Sequence, residues 1–565
     1  MTERELTIVF DGKRVSCCAG DTVAAALTAA GELSLRETHD GGDRGLYCGM
    51  GTCQECLVTV DGRPGQLACM TTVGDGMTVE RNPHRAPLSV GATPKPARDR
   101  VTAEPEVLVV GGGPGGLIAA SVAAESGAEV VVLDERASVG GQFFKQPRSM
   151  SRKPLRLDRQ FEDGRRLIER VTRSGATLVS NAQVVGAFAN RELLARDGNA
   201  VRVYRPQRLI IATGAYERSP PFPGWTLPGV MTIGAAQTLL RGHGVCPGQR
   251  ILIAGNGPLN AQVALELSKA GADVVSVLEL APVHRPRAVK PVMRMLATEP
   301  GLTTAGIKGL AQLRLAGVTL RSGCGIAAVE ATASGLRATF GHASSEGIQA
   351  QESTAVDAVC LGYGFLPNNE LLRMLGCRHR YDAERKQLIV ERRDDCQTSL
   401  DGVFAIGDCC GLGGAVTAMH EGTIAATSVA RSLGLDISNV ADREVQRAKR
   451  RLARHSAFQA ALWSLYAAPR FDTELATADT PICRCENVTL QQLDDALAEG
   501  FLSLAEIKRQ TRLGMGSCQG RNCATIALSR LAGKTALTPD EYAFFAARAP
   551  LKPVRIGELV GPAAD

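Results

Sequence analysis

Two strand–glycine turn–helix units, opening at Gly111 and Gly255 and 144 residues apart, predict an α/β protein built on a duplicated dinucleotide-binding fold. Two groups of four cysteines, one ahead of that body and one behind it, predict a small metal-bearing domain at either end. The composition agrees: 61 glycines in 565 residues, without a short repeat, suit the many tight turns of such folds. Hydrophobic residues at 44% and charged residues at 22% exclude a disordered chain, a coiled coil and a collagen. The net charge of +6 is spread over 64 basic and 58 acidic residues, which points to no nucleic-acid partner.

The segment Met1–Gly12 is charged and has no apolar core, so no secretory signal is expected. The uncharged apolar stretch Val107–Ala124 is broken by glycines, so no transmembrane segment is expected either. The localisation that follows is cytoplasmic, with peripheral attachment to the inner membrane left open. In a reducing compartment the 17 cysteines are not expected to form disulfides.

The first cysteine group reads Cys48-x4-Cys53-x2-Cys56-x12-Cys69. Cys-x4-Cys-x2-Cys is the plant-type ferredoxin loop, in which three thiolates from one loop and a fourth from elsewhere hold a 2Fe–2S cluster. Glycines 41, 42, 45, 49 and 51 crowd this loop and free backbone N–H groups to turn toward sulfur. Leu6–Phe10, Asp11-Gly12 and Arg14–Cys17 read as a hairpin, and Asp21–Ala30 as a helix. The alternatives are buried free cysteines or a zinc site, although zinc typically uses paired Cys-x2–4-Cys knuckles. Cys17 and Cys18, at a strand end, read as core. The order of elements resembles the β-grasp 2Fe–2S domains, and the short return to Cys69 resembles the small cluster subunit of hydrogen cyanide synthase. Arg81–Pro105, with five prolines and five Lys or Arg, reads as an extended basic linker.

From Glu106 the apolar runs Val107–Val110, Val130–Leu133, Leu209–Ile211, Arg250–Ala254, Val274–Leu278 and Ala358–Leu361 read as buried parallel strands. In the first turn Gly111 bends the chain, Gly113 and Pro114 open the helix beneath a pyrophosphate, and Gly116 lets helix and strand pack closely. Asp134, Glu135 and Arg136 follow the second strand, where one carboxylate should take the adenosine ribose hydroxyls. Three later pieces resemble the two-dinucleotide-domain flavin reductases. They are Gly140-Gly141-Gln142, the strand end Ile211-Ala212-Thr213-Gly214, and Gly402-Val-Phe-Ala-Ile-Gly407-Asp408. That resemblance implies FAD, with Asp408 on the ribityl chain, Val184 at the adenine, and a helix at about 415–426 aimed at the flavin. Cys409 and Cys410 are expected to pack against the cofactor. Disulfide exchange is not expected, since the chain has neither of the family's reactive cysteine pairs.

The second turn reads Gly255-Asn-Gly257-Pro-Leu-Asn260, with Asn where the third glycine belongs. Glu279 is the acid after its strand, and Leu278 is the residue counted as aligned with Asp134. NAD(P) binding is doubtful here, and a retained fold with a lost or altered ligand is expected. His284, Arg285 and Arg287 read as solvated surface rather than a ribose-phosphate site.

The second cysteine group reads Cys483-x-Cys485-x32-Cys518-x4-Cys523. Its spacing resembles the helical 2Fe–2S domain of the bacterioferritin-associated ferredoxin (BFD) type, with helices Leu490–Glu499 and Ser503–Gln510 between the pairs. Tetrahedral zinc is the alternative. Cys485-Glu-Asn-Val-Thr489, Gly514-Met-Gly-Ser-Cys-Gln-Gly520, the Cys518–Cys523 spacing and the tail Arg548–Leu559 resemble the α-subunits of heteromeric amino-acid dehydrogenases. These include opine oxidases, hydrogen cyanide synthase, sarcosine oxidase and dye-linked proline or hydroxyproline dehydrogenases, and the resemblance favours iron.

The fold class expected is therefore α/β: a flavoprotein body of two dinucleotide-binding domains, an N-terminal β-grasp 2Fe–2S domain and a C-terminal helical BFD-like 2Fe–2S domain. The expected boundaries are 1–80 for the first cysteine domain, 81–105 for the linker, and 106–220 with 355–430 for the FAD domain. They continue with 221–354 for the second dinucleotide domain, 431–475 for a helical connector, 476–535 for the second cysteine domain and 536–565 for an extended tail. The resemblance implies an electron-transfer subunit carrying FAD and two 2Fe–2S clusters, and it leaves room for an FMN at a subunit interface. Its implied partners are a D-amino-acid-oxidase-type FAD subunit, a further small subunit, and a quinone or other electron acceptor. The implied reaction is oxidation of a C–N bond in D-hydroxyproline, proline, an opine or glycine. No catalytic residue is assigned in this chain. The competing readings are a stand-alone NAD(P)H-dependent FAD/2Fe–2S oxidoreductase and a cluster-carrying scaffold.

Overall fold

The computed structural model describes residues 5–83, 101–148, 158–197, 200–283, 286–437, 439–535 and 537–559. Strand Glu5–Phe10 pairs antiparallel with Lys13–Cys18 across the Asp11-Gly12 turn. Alternation along the first strand buries Leu6, Ile8 and Phe10. Against them packs helix Val23–Ala29, whose first turn is capped by Thr22 Oγ1 accepting from Ala25 N at 3.2 Å. Strand Thr78–Arg81 runs parallel to the first, and Leu57–Val60 and Arg63–Leu67 complete a five-stranded β-grasp sheet. Cys17 is core, as read, and Cys18 is half-buried.

All six apolar runs lie in two five-stranded parallel sheets. The first has the order Thr177–Val179, Val130–Leu133, Val107–Val110, Arg208–Ile211, Val403–Ala405. The second has the order Val230–Thr232, Ala358–Gly362, Arg250–Gly255, Asp273–Glu279, Thr319–Ser322. Strands such as Val-Leu-Val-Val are buried on both faces: helices Pro114–Glu125 and Gly414–Ser432 cover Val107 and Val109 on one side, and a second sheet, through Ala182, Leu193, Ala195 and Tyr204, covers Leu108 and Val110 on the other. A four-stranded sheet beside the first body includes Val101–Ala103, which pairs parallel with Ala200–Tyr204. Most of the basic Pro-rich segment, residues 84–100, lies outside the described residues, as do His284 and Arg285.

The two parallel sheets repeat one device. Asp134 accepts from Gly112 N and Arg136 N, both at 2.8 Å. Glu279 accepts from Gly257 N at 2.9 Å and Ala281 N at 3.0 Å. Glu279, and not Leu278, is therefore the counterpart of Asp134. The reason is a register shift between Ile251 and Leu252, which adds one residue to the Asp273–Glu279 strand and displaces the count.

Helix Asn439–Leu465 packs on Gly414–Ser432 and on Val289–Thr298, and the chain beyond it closes over the second turn. There Asn256 Nδ2 donates to the Tyr466 carbonyl at 3.0 Å. Helices Leu490–Ala498, Leu504–Thr511 and Ala524–Lys534 form the last domain around Leu493, Ile507, Ile526 and Leu531. A Thr489–Gln492 capping box starts the first of them. Among the described residues no helix is long and apolar enough to cross a membrane.

Burial pushes the Glu279 carboxyl up to about 7, against the pull of its two backbone N–H donors. A folded-state value above the ordinary 4.5 means the associated stability is full below that pH and is lost as pH rises through about 7. Glu279→Gln should remove this slope, gaining on the parent by roughly 3 kcal/mol between pH 4.5 and 8. Denaturant titrations at several pH values would check this, and parallel profiles would refute it.

Candidate cofactor sites

A cavity of about 560 Å³ opens at the C-terminal ends of the first parallel sheet. Gly111, Gly113 and Pro114 line it at the turn, with Asp134, Glu135, Arg136, Gly141, Gln142, Val184, Ala212, Thr213, Gly214, Gly407 and Asp408 around the rest of the wall. Gly116 lies beneath the wall: a Cβ there would stand 1.9 Å from the Gly111 carbonyl oxygen, so only glycine lets the helix start this close to the strand. At Gly113 the space is open, the nearest atom to an added Cβ being Gly141 Cα at 3.9 Å. The first turn of helix Pro114–Glu125 faces this opening, so N–H donors and a positive helix end meet whatever fills it. Helix Gly414–Ser432 brings Gly414 and Ala415 to the same cavity. Asp408 Oδ1 accepts from Gly413 N at 2.9 Å and Gly414 N at 2.7 Å, which fixes that helix end. A space of this volume with two helix N-termini on it fits a dinucleotide with a pyrophosphate at Gly113.

The two acids after the second strand divide their work. Asp134 is engaged by the turn's own backbone. Glu135 lines the cavity and pairs with Lys552 from the C-terminal tail. Burial alone would raise the Glu135 carboxyl, but Lys552 with Arg136 and Arg521 together outweigh it and hold the group below its ordinary range.

Sequence reading missed a buried polar wall made by Lys145, Glu217 and Gln237. Lys145 Nζ donates to Gln237 Oε1 at 2.7 Å, and Glu217 Oε1 accepts from Gly234 N at 2.8 Å. Burial pulls Lys145 down to about 7 and pushes Glu217 up to about 7, and each charge steadies the other. The only signal was a charged residue three positions after each of the first two flavin-type pieces, Lys145 after Gln142 and Glu217 after Gly214. Cys409 and Cys410 correct another expectation: they are buried among Leu108, Val110, Leu209 and Ile211, behind the cavity wall rather than on it. Cys409 Sγ donates to the Ile406 carbonyl at 3.2 Å.

Cys48, Cys53, Cys56 and Cys69 are all buried and converge, Cys53 beside Cys48 and Cys69 beside both Cys56 and Cys48. Burial would raise the Cys48 thiol. Hydrogen bonds from Cys53 and from the N–H groups of Cys53, Met50 and Thr52 bring it down to about 6 instead. In the second group Cys485 Sγ lies 3.9 Å from Cys483 Sγ and 3.5 Å from Cys518 Sγ, and Cys523 adjoins Cys483. Among the described residues no group of three or more His, Cys, Asp or Glu fits a single metal ion. The fit of each quartet to a metal group therefore rests on its donors: four converging thiols, with N–H groups aimed at sulfur in the first.

One residue from each cysteine loop lines the cavity: Met50 in the first, and Arg521, between Cys518 and Cys523, in the second. Arg521 also reaches Glu370 at 3.4 Å and the carbonyls of Cys518 and Leu551 at 3.0 Å each.

Residues 105–432 match the pyridine nucleotide-disulphide oxidoreductase family, residues 3–84 the 2Fe-2S iron-sulfur cluster binding domain, and residues 480–562 the sarcosine oxidase A3 domain. An opine oxidase subunit of Rhizobium meliloti is 33% identical over 80% of this chain and 98% of its own length. The HcnB subunit of hydrogen cyanide synthase from Pseudomonas protegens is 32% identical over 79% of this chain and 96% of its own. The alpha subunit of sarcosine oxidase from Rhizobium meliloti is 26% identical over 98% of this chain and 58% of its own. L-proline dehydrogenase from P. horikoshii shares the fold at a TM-score of 0.72 and 20% identity, over 99% of this chain and 98% of that one. The chain is an oxidoreductase subunit that belongs to the pyridine nucleotide-disulphide oxidoreductase family, in the group of the opine oxidase subunit, HcnB and the sarcosine oxidase alpha subunit.

Proposed function

We propose that this chain is the electron-transfer subunit of a heteromeric flavin and iron–sulfur dehydrogenase, in which a partner flavin subunit oxidises the C–N bond of an amino or imino acid. One observation carries the reading: the cavity lined by the first glycine turn is also lined by Met50 of the first cysteine loop and by Arg521 of the second. A flavin bound there would take up an electron pair and release single electrons, the unit that iron–sulfur centres handle. The relatives named for opines, sarcosine and cyanide synthesis support an amino- or imino-acid substrate, with D-hydroxyproline, proline, an opine or glycine as the class. All are named as subunits, which supports partner subunits; in this reading these are a D-amino-acid-oxidase-type FAD subunit and a further small subunit. A quinone or other acceptor would take the electrons onward, and an FMN at the interface belongs to the same reading.

The chain's own residues would act as follows. Gly113 leaves room for the pyrophosphate under the helix N-terminus. Glu135 stands at the ribose end and is steadied by Lys552. Lys145 and Glu217, each near 7, hold and release a proton on the cavity wall close to neutrality, so charge arriving in the cavity can be met without water entering. At the second turn, Asn260 is buried and its Nδ2 donates to the Gly362 carbonyl at 3.1 Å, while Tyr466 takes Asn256. These contacts support a fold kept without a nicotinamide ligand.

Gly113→Val would put a branched side chain where the pyrophosphate must approach, and should leave the purified chain without flavin while iron content is unchanged. The flavin-to-protein absorbance ratio reads this, and full retention would mean the site is misplaced. The partner assignment is tested with a dye-linked assay. The isolated chain should not oxidise hydroxyproline, proline or an opine, and the complex formed by co-expression with a flavin subunit should. Activity of the single chain would overturn the assignment.

A further inference from the structure

The two cysteine groups are far apart in sequence, yet their loops interlock through one buried ion pair. Glu55 lies between Cys53 and Cys56, and its side chain is 0% exposed; Arg484 lies between Cys483 and Cys485, and its side chain is 2% exposed. Arg484 Nε donates to Glu55 Oε1 at 3.2 Å, across a sequence separation of 429 residues. Arg484 Nη1 donates to the Trp225 carbonyl at 2.7 Å, and Trp225 Nε1 donates to the Pro481 carbonyl at 2.7 Å. The guanidinium lies 3.7 Å from the ring centre of Tyr47, next to Cys48, and 4.6 Å from that of Trp225. On its other side Glu55 takes Arg36, with Nη2 to Oε2 at 2.9 Å and Nε to the Glu55 carbonyl at 3.0 Å. A second tie runs from Arg44 Nη2 to Asn487 Oδ1 at 2.6 Å.

A charge buried this deeply is weakly screened and acts on groups either side of it. The contacts that would explain a docking interface alone, Trp225 on Pro481 and Arg44 on Asn487, are already present. The Glu55–Arg484 pair adds opposite charges inserted directly between ligand cysteines of both loops. We propose that Glu55 and Arg484 are positioning residues that join the two cysteine loops into one unit and set an electrostatic field that both metal centres share. This rests on the reading that each quartet holds a 2Fe–2S cluster. A nearby guanidinium favours the reduced, more negative state of such a centre, and a nearby carboxylate disfavours it.

The test is a redox titration of the full chain with its cofactors, followed by EPR, with the N-terminal signal assigned by its loss in Cys53→Ser. Arg484→Met should make both centres harder to reduce, and Glu55→Gln should make both easier. The double substitution should return both toward the parent, because the two charges leave together. Arg484→Lys keeps the charge and should leave both midpoints close to the parent's. A shift confined to the centre on the mutated loop, or shifts of the same sign in the two single variants, would overturn the proposal. If the single neutral variants do not fold, Arg484→Lys and the double variant carry the test, and a large shift of either centre in them overturns it. Iron and sulfide assays of the parent separate the two failures. A quartet without iron sinks the cluster reading and the proposal with it, whereas two full centres whose midpoints do not move in Arg484→Met and Glu55→Gln sink the proposal alone.

Discussion

A carboxylate and a guanidinium, both withdrawn from water, hold the two ends of this chain together. Desolvating such a pair costs several kcal/mol per ion, and the cost is offset only where every remaining hydrogen-bonding position is filled. Here Glu55 takes Arg36 as well as Arg484, and Arg484 takes a carbonyl and two aromatic faces. Loss of Glu55 would leave the buried guanidiniums of Arg484 and Arg36 without their carboxylate, at about 3–5 kcal/mol. Much of the rest of the architecture is built out from this contact. The Tyr47 carbonyl accepts from Thr232 N at 2.9 Å, which seats the first cysteine loop on the helix at Ile233. Arg136 Nη2 donates to the Gly49 carbonyl at 3.3 Å, which ties the same loop to the dinucleotide body. The tail returns through Leu551 N on the Val185 carbonyl at 2.7 Å and through Lys552 on Glu135.

The consequence is a cavity whose wall is assembled from four separated parts of the chain. A ligand that binds only this assembled wall stabilises all of its parts at once. Cofactor retention and the docking of both cysteine domains are therefore linked. The same enclosure explains the unusual groups in the wall. Lys145 and Glu217 are held at about 7 because burial disfavours their charged forms, and this brings two ordinarily remote titrations together at neutrality. A redox site that changes charge benefits from such a group within reach, and a solvated surface would not provide one.

Local features of this fold were legible in the sequence. The parallel strands announced themselves as short apolar runs, and the first turn as Gly111, Gly113 and Gly116 between strand and helix. The expected contacts of the dinucleotide site do meet in one cavity, apart from Gly116, which lies beneath it. What escaped was non-local or irregular. One extra residue in the Asp273–Glu279 strand moved the acid from the counted position Leu278 to Glu279. Cys409 and Cys410 follow a cavity residue, yet the chain turns in a short helical segment and sends them into the core. Lys145, Glu217, Lys552, Glu55 and Arg484 acquire their roles from partners tens to hundreds of residues away, and no spacing rule reaches that far.

The central claim is that one chain holds a flavin between two 2Fe–2S sites. Iron, acid-labile sulfide, zinc and flavin measured on the same purified protein test it most directly. The account predicts about four iron, about four sulfide and about one FAD per chain. Zinc at full occupancy in either quartet, or a chain that holds both clusters but no flavin, would contradict it.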